Sequence, residues 1–161
     1  MKTNLEIKLL QDALIYTKQA FARIFGVLPN RVIRAQVWWS GYWIILKGKR
    51  PRLYKKSLFE VHFAAFRKEG AKKLVVSATS LSEFWVKNPE AGTVNYVGYT
   101  EKNGKVRYEC GCSDFQAMRP AFKNPACKHV YGVLFNQGFE TMAASIAQHR
   151  KEFDARAALG F

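Results

Sequence analysis

Acidic residues are scarce in this chain. Its 161 residues include 12 Asp and Glu against 26 Lys and Arg, which gives a formal net charge of +14. The carboxylates are scattered along the sequence, whereas two-metal nucleases and transposases need several that converge. Neither a Gly-x4-Gly-Lys-Ser/Thr loop nor a Gly-x-Ser-x-Gly motif occurs. The sequence therefore predicts a protein that is not an enzyme and has no small-molecule substrate.

Long apolar runs are also missing. No run reaches the ~18 residues that a membrane-spanning helix needs, so we expect no membrane partner. The N-terminal stretch "MKTNLEIKLL" lacks the apolar core of a secretory signal. Cysteine is limited to three residues, which cannot all pair within one chain. We expect thiols and a cytoplasmic location, with a nuclear or nucleoid-associated one as the alternative.

The first 79 residues show an α-β-β-α-β pattern. Apolar residues recur at helical spacing over 4–25, where Thr3 and Glu6 have capping-box spacing. Residues 31–47 predict a β-hairpin that turns at Ser40-Gly41. A second helix over 58–69 and a strand over 73–79 follow. We assign residues 1–79 to one basic α+β region.

The remaining residues predict short strands followed by helices. Three strands are expected between residues 84 and 110, with "EKNGK" as the turn of the last hairpin. Helices are expected over 127–136 and 139–157, separated at Gly138. The chain as a whole is therefore of the α+β class, with residues 80–137 and 138–161 as its second and third regions.

All three cysteines lie within the stretch "ECGCSDFQAMRPAFKNPACKHV", residues 109–130. Cys110 and Cys112 would end a strand, and Cys127 and His129 would begin a helix. Three thiolates and an imidazole are a tetrahedral ligand set for one structural zinc ion. A redox pair is a second interpretation, although thioredoxin-like motifs have two intervening residues and this pair has one. Three buried thiols with an unrelated histidine are the third.

These residues resemble the SWIM zinc finger, whose signature is Cys-x-Cys, a variable spacer and Cys-x-His. "CGC" and "CKH" match the signature, and "YVGYTEKNGKVRYECGCSDF" and "PACKHVYGVLF" are similar to its usual flanking strands and helix. The resemblance covers residues 80–137 and implies a structural zinc with a DNA-binding or protein-interaction role. The family occurs in remodelling-type ATPases, transposase-associated proteins and recombination mediators. The mediators carry Ala three residues after the ligand His, where this chain has Gly132.

Basic residues cluster upstream of the cysteines. A candidate phosphate-binding set contains Lys47, Lys49, Arg50, Arg52, Lys55 and Lys56, extended by Arg67, Lys68, Lys72 and Lys73. Arg119, Lys123 and Lys128 are candidates within the finger. Trp38, Trp39 and Trp43 are candidates for stacking on unpaired bases, with burial in the core as the alternative.

Two functions follow as expectations. The first is nucleic-acid binding, to DNA rather than RNA, driven by phosphate contacts with weak sequence preference. The second is a protein-interaction adaptor in a recombination, transposition or remodelling complex, with the apolar terminal helix as its docking surface. Steep salt dependence distinguishes the first from the second.

Two histidines lie outside the cysteine stretch. His62 lies beside Phe59 and Phe66 on a predicted helix face, so we expect it to pack at the edge of the core. His149 lies in the polar stretch "QHRKEF", so we expect it to be solvated. Neither is expected to bind a metal.

Overall fold

The computed structural model describes residues 2–159 and confirms the α+β class. Within those residues it has six α-helices and two antiparallel sheets, of three and four strands. The chain divides into two compact units, residues 1–66 and 67–161. The first unit contains α1 (Asn4–Ile15), α2 (Lys18–Phe25), a 3-10 turn (Pro29–Arg31), β1 (Val32–Val37), β2 (Tyr42–Leu46), β3 (Arg52–Tyr54) and the start of α3 (Lys56–Ala71). The second contains the end of α3, β4 (Val75–Ala78), β5 (Glu83–Asn88), β6 (Thr93–Lys102), β7 (Lys105–Cys110), α4 (Ser113–Met118), α5 (Lys128–Asn136) and α6 (Met142–Ala158).

The helix expected over 4–25 is two helices. Thr3 and Glu6 form the predicted capping box at the start of α1. The helix breaks after Ile15 because the Thr17 hydroxyl caps a new one, accepting a hydrogen bond from the Ala20 backbone N–H at 3.0 Å. None of the described helices combines the length and the apolar character that crossing a membrane requires.

The first sheet has the order β1-β2-β3. The predicted hairpin is present, but its connection runs from Trp38 to Gly41 and is twice as long as expected. A Cβ at Gly41 would lie 2.7 Å from the Tyr54 carbonyl oxygen, so the close approach of β3 requires glycine there. The core beneath the sheet is a cluster of aromatic and aliphatic side chains: Tyr16, Ala20, Phe21, Val32, Tyr42, Ile44 and Phe59.

The second sheet has the order β4-β5-β6-β7. The β4 strand, expected to belong to the first 79 residues, pairs with β5, and the two units divide between residues 66 and 67. Asn103 and Gly104 both adopt positive φ angles, 53° and 67°, in the predicted β6–β7 turn. The α5 helix packs across all four strands, and α6 packs against β7 and α5.

The two histidines outside the cysteine cluster differ in environment. His62 is half-buried, as expected, and accepts a hydrogen bond from Arg23 Nε at 3.2 Å. The expectation for His149 was wrong, because this residue is buried. Its ring lies 5.1 Å from the ring of Tyr99, and its Nδ1 lies 3.5 Å from a carboxylate oxygen of Glu101. Because the neighbours of His149 in the sequence are polar, they did not indicate that this residue lies on the buried face of α6.

Candidate metal centre

The three cysteines and His129 stand at the ends of regular elements. Cys110 is the last residue of β7, and Cys112 is the N-cap of α4. Cys127 is the N-cap of α5, and His129 follows in its first turn. One residue separates the two ligands at each location, so a strand end and two helix starts bring all four side chains together. The strand end at Cys110 and the helix start at Cys127 and His129 were predicted, whereas the helix that begins after Cys112 was not.

The four side chains converge on one point. Their candidate ligand atoms all lie within 4.8 Å of one another. His129 Nδ1 lies 3.9 Å from Cys110 Sγ and 3.9 Å from Cys127 Sγ. A tetrahedral zinc ion with ordinary bond lengths separates its ligand atoms by roughly 3.6–3.8 Å. A tetrahedral metal ion would therefore fit the cluster if its ligand atoms moved closer by at most about 1 Å.

The site is enclosed. Cys110, Cys127 and His129 are buried, and Cys112 is half-buried. Thiolate and imidazole ligands favour zinc and other soft or borderline ions over magnesium or calcium. With all four positions held by the protein, a bound ion would have no open position for water or substrate. Such an ion would stabilise the fold and would not catalyse a reaction.

Proximity of the thiols shifts their pKa values in opposite directions. Hydrogen bonds from Cys110 and Cys127 lower the pKa of Cys112, and the Phe115 backbone N–H adds a bond to its Sγ at 3.4 Å. Hydrogen bonding to Cys112, together with burial, raises the pKa of Cys110 to about 11. Hydrogen bonding to Cys110 and Cys112 also raises the pKa of Cys127. One thiolate is therefore favoured over three in this space, and a divalent cation would supply the charge needed to hold all three.

Asn95 approaches the outer edge of the histidine ligand. Its amide Nδ2 lies 3.3 Å from His129 Nε2, while His129 Nδ1 faces the sulfurs. If Nδ1 binds a metal, Nε2 carries the proton and needs an acceptor. The amide oxygen of Asn95 supplies that acceptor after a rotation that exchanges its oxygen and nitrogen. Asn95 is thus positioned to orient the imidazole.

Further hydrogen bonds hold the segments that carry the cysteines. Arg67 donates from Nε and Nη2 to the two carboxylate oxygens of Asp114, at 3.0 and 2.6 Å. Gln116 Nε2 donates to the Cys110 carbonyl oxygen at 2.8 Å. Both acceptors lie within two residues of Cys112. The sulfur positions are therefore fixed by the surrounding structure as well as by one another.

The geometry argues against the two alternative interpretations of the cysteines, a redox pair and three thiols with an unrelated histidine. An unrelated histidine is inconsistent with an imidazole that lies 3.9 Å from two of the sulfurs. A redox pair needs two thiols, and here the third thiol and the imidazole occupy the same small space. The cluster could hold a metal ion, as predicted.

The candidate phosphate-binding residues fall into both units. In the first unit, five are exposed and form no ion pair within residues 2–159: Lys47, Lys49, Arg50, Arg52 and Lys55. Arg52 begins β3, and the other four lie outside the helices and strands. Lys56 begins α3, where its ammonium lies 5.5 Å from the ring centroid of Tyr16.

The candidates in the second unit mostly have partners. Arg67 is half-buried and bound to Asp114, so it serves the fold around the cluster. Lys72, Lys73 and Arg119 pair with carboxylates at 2.6, 3.1 and 3.7 Å. The other three differ: Lys68 lies over the ring of Tyr131, Lys128 is half-buried and Lys123 is exposed. The second unit therefore offers fewer unpaired cations than the sequence suggested.

The three candidate tryptophans surround one end of the first sheet. Trp39 is 89 % exposed and Trp38 is 49 % exposed, both in the β1–β2 connection. Trp43 is half-buried on β2, and its ring centroid lies 6.1 Å from that of Trp38. The alternative that these rings belong to the core is wrong for Trp38 and Trp39.

Sequence reasoning missed Asn95 and the Arg67–Asp114 pair. A signal for Asn95 was available, since it is a polar residue at an inward-facing position of β6, in step with Val97 and Tyr99. Such residues need a partner. No comparable signal linked Arg67 to Asp114, which are 47 residues apart.

Comparison with known protein families, curated proteins and solved structures gives no match for this chain. The class of protein is defined by its own features. It is an α+β protein in which a three-cysteine, one-histidine cluster that could hold a metal ion joins a strand to two helices.

Proposed function

We propose that this chain is a nucleic-acid-binding protein with one structural zinc ion in a SWIM-type finger. The first unit supplies the main phosphate-binding surface. Binding is dominated by phosphate contacts, with weak sequence preference and with DNA as the preferred nucleic acid. The zinc ion is held by Cys110, Cys112, Cys127 and His129 and stabilises the second unit.

The observation that carries the proposal is the unbalanced charge of the first unit. No acidic residue occurs between Asp12 and Glu60. Ten Lys and Arg occur in that interval, and five exposed ones between Lys47 and Lys55 have no carboxylate partner in the described chain. Uncompensated cations attract phosphates and release the counterions condensed on a nucleic acid.

The test is a salt titration with matched charge reversals. Fluorescence anisotropy measures binding of labelled single- and double-stranded DNA and RNA to the zinc-loaded protein at several salt concentrations. We expect affinity to fall steeply with salt, by roughly 0.7–0.9 decade per decade of salt for each phosphate neutralised. The double variant Arg50→Glu with Arg52→Glu should lower that slope by at least about 1.4.

A control variant separates a local site from general attraction. Lys102 and Lys105 oppose each other at the exposed end of the β6–β7 hairpin, and reversing both changes the net charge equally. We expect Lys102→Glu with Lys105→Glu to have the smaller effect. Equal losses for the two variants would contradict a site in the first unit. The absence of binding to all four probes at low salt would contradict the proposed function itself.

A protein-interaction adaptor is the second candidate. The solvent face of the second sheet exposes Val75, Trp85, Val94 and Tyr96, each more than 40 %. Its charge is mixed, with Glu83 and Glu109 beside Lys87 and Arg107, so it is less suited to a polyanion than a surface without carboxylates. This face exposes more large apolar side chains than α6, which was the docking surface expected from the sequence. Partner binding that persists at high salt, without nucleic-acid binding, would favour this function.

A further inference from the structure

Strand register places Trp43 on the face of the first sheet that points away from the core. Tyr42 and Ile44, its neighbours on β2, belong to the buried cluster. Side chains alternate along a strand, so Trp43 lies on the opposite face. Its cross-strand partners there are Gln36 on β1 and Leu53 on β3, both of which are exposed.

The connection between β1 and β2 carries two more indoles, and one of them, Trp38, extends this face. Trp38 tilts by 34° relative to Trp43, at a centroid distance of 6.1 Å. Trp39 projects further into solvent, with 89 % of its surface exposed. Large aromatic surfaces left exposed together are typical of binding sites. We name the surface formed by Trp38, Trp43 and Leu53, together with the exposed Trp39 that follows Trp38, the indole face.

Cations border the indole face. Register places Arg34 on the same side of the sheet, one row beyond Trp43. Lys55 follows β3 immediately after Tyr54, whose carbonyl lies against Gly41 in the tryptophan-bearing connection. Both are exposed, and neither forms an ion pair within the described residues.

The charges around the indole face indicate which ligand it would bind. Exposed indoles beside unpaired cations suit a nucleic-acid strand, because its bases can stack on the rings and its phosphates can bind the cations. Residues 13–59 contain no carboxylate that would repel the phosphates. A duplex buries its base faces in its own stack, so it offers the rings nothing to stack on. We propose that the indole face is a stacking platform and that the preferred ligand is single-stranded nucleic acid. This proposal rests on the nucleic-acid-binding function proposed above.

The second sheet supplies an internal control. Trp85 and Tyr96 also form an exposed aromatic pair, with ring centroids 5.5 Å apart. There the Tyr96 hydroxyl donates to a Glu83 carboxylate oxygen at 3.0 Å, and Glu109 lies in the same cross-strand row as Glu83. Lys87 and Arg107 lie on the same face, so its charge is mixed, whereas residues 13–59 around the indole face contain no carboxylate. The same protein therefore offers an exposed tryptophan whose aromatic neighbour is bound to a carboxylate.

The experiment compares a 20-nucleotide oligo-dT with a blunt duplex of the same length, using the zinc-loaded protein and fluorescence anisotropy. Trp38→Ala and Trp39→Ala should each weaken oligo-dT binding by roughly 5- to 150-fold, while duplex affinity stays within about twofold. The salt slope should not change, because no phosphate contact is lost. Trp85→Ala should leave both affinities unchanged.

Other outcomes separate this proposal from the one on which it rests. Equal weakening of oligo-dT and duplex binding, or no weakening of either, would overturn the stacking platform and leave nucleic-acid binding intact. Wild-type protein that binds the duplex more tightly than oligo-dT would also overturn it. If neither probe binds at low salt, both proposals fail. The two mutated rings are exposed and support little of the core, so both variants should fold. Circular dichroism checks that they do.

Discussion

The interiors of the two units differ in the side chains that they hold. The first packs tyrosine and phenylalanine rings beneath a three-stranded sheet, with Phe59 and Phe21 fully buried. The second unit is larger and buries apolar side chains of its own, including Val86, Val97 and Leu134, and it also gathers three cysteines and a histidine where a strand meets two helices. A metal ion held by these side chains would cross-link a strand and two helices of the second unit. The comparison teaches that a group of side chains able to hold a metal ion can stand beside an apolar core in one unit, while the core of the other is built from aromatic and aliphatic side chains.

The largest expected effect is the loss of one cysteine ligand. Cys127→Ala should abolish stoichiometric zinc binding and unfold the second unit, because structural zinc contributes ~10–16 kcal/mol in small domains. Elemental analysis measures the metal, and hydrogen exchange compares residues 67–159 with residues 2–66. Protection should be lost in the former and retained in the latter.

The control for that prediction is Ser113→Ala, an exposed position beside Cys112. It should retain zinc and protection. A wild-type protein that is equally stable with and without zinc would contradict the structural role.

Alkaline pH should act on the first unit through Tyr42. Burial raises the pKa of Tyr42 to about 12 from an ordinary value of 10.0, so its neutral form is favoured in the folded state. The resulting stabilisation is present below pH 10 and is lost as the pH rises toward 12, by roughly 2–3 kcal/mol in total. Tyr42→Phe should remove this part of the pH dependence.

Urea unfolding followed by tryptophan fluorescence measures the effect. A Trp85→Phe background restricts the signal to the three tryptophans of the first unit. Tyr96→Phe, an exposed position in the second unit, is the control and should leave the first-unit curve unchanged. Parallel curves for wild type and Tyr42→Phe between pH 9 and 12 would refute the assignment.

Substitution of Asn95 tests whether residues beyond the four candidate ligands contribute to metal binding. Asn95→Ala should weaken zinc binding by roughly 10- to 100-fold, because the proton on His129 Nε2 loses its acceptor. Asn95→Asp keeps an acceptor and should restore most of the affinity. Competition with a coloured chelator measures both variants. Equal affinity for Asn95→Ala and wild type would show that the amide does not position the imidazole.

Substitution of Gly132 should have the smallest effect on stability, and it should stabilise the protein where the other substitutions destabilise it. It lies within α5, where a Cβ would meet Val76 Cγ2 at 3.5 Å and Leu74 Cδ1 at 3.6 Å, which are ordinary contact distances. Gly132→Ala should therefore stabilise the second unit by about 1 kcal/mol through helix propensity. The departure from the mediator pattern at this position has no steric cause in this fold.

A glycine in the first unit is the matched comparison. Gly26 ends α2 with a φ of 64°, so Gly26→Ala should destabilise despite the open space around it. Chemical denaturation measures both substitutions. A destabilising Gly132→Ala would contradict the packing described for α5.

Local sequence signals predicted the elements that depend on local chemistry. The Thr3–Glu6 box, the turn at Asn103-Gly104 and the ligand spacing around Cys110 all appear as expected. The break after Ile15 was missed because the apolar periodicity continues across it. The short β3 was missed because three residues of mixed polarity carry no periodic signal.

In the candidate site, too, features set by nearby residues were predicted and features set by distant contacts were missed. Four ligands within 20 residues are recognisable from spacing, whereas Asn95 reaches His129 only through the register of β6 and the packing of α5. The basic residues were recognisable as cations, but their availability was not. Whether a cation such as Arg67 is free depends on a carboxylate 47 positions away.

What the sequence by itself determined is the chemistry: an excess of cations, three thiols with a histidine at ligand spacing, and a cluster of indoles. What only the tertiary structure decided is which of these groups meet and which remain in solvent. It joined β4 to the second sheet, buried His149, paired Arg67 with Asp114 and left Trp39 exposed. The physical reason is that ligand spacing and capping act over a few residues, whereas burial and charge pairing depend on contacts between distant segments.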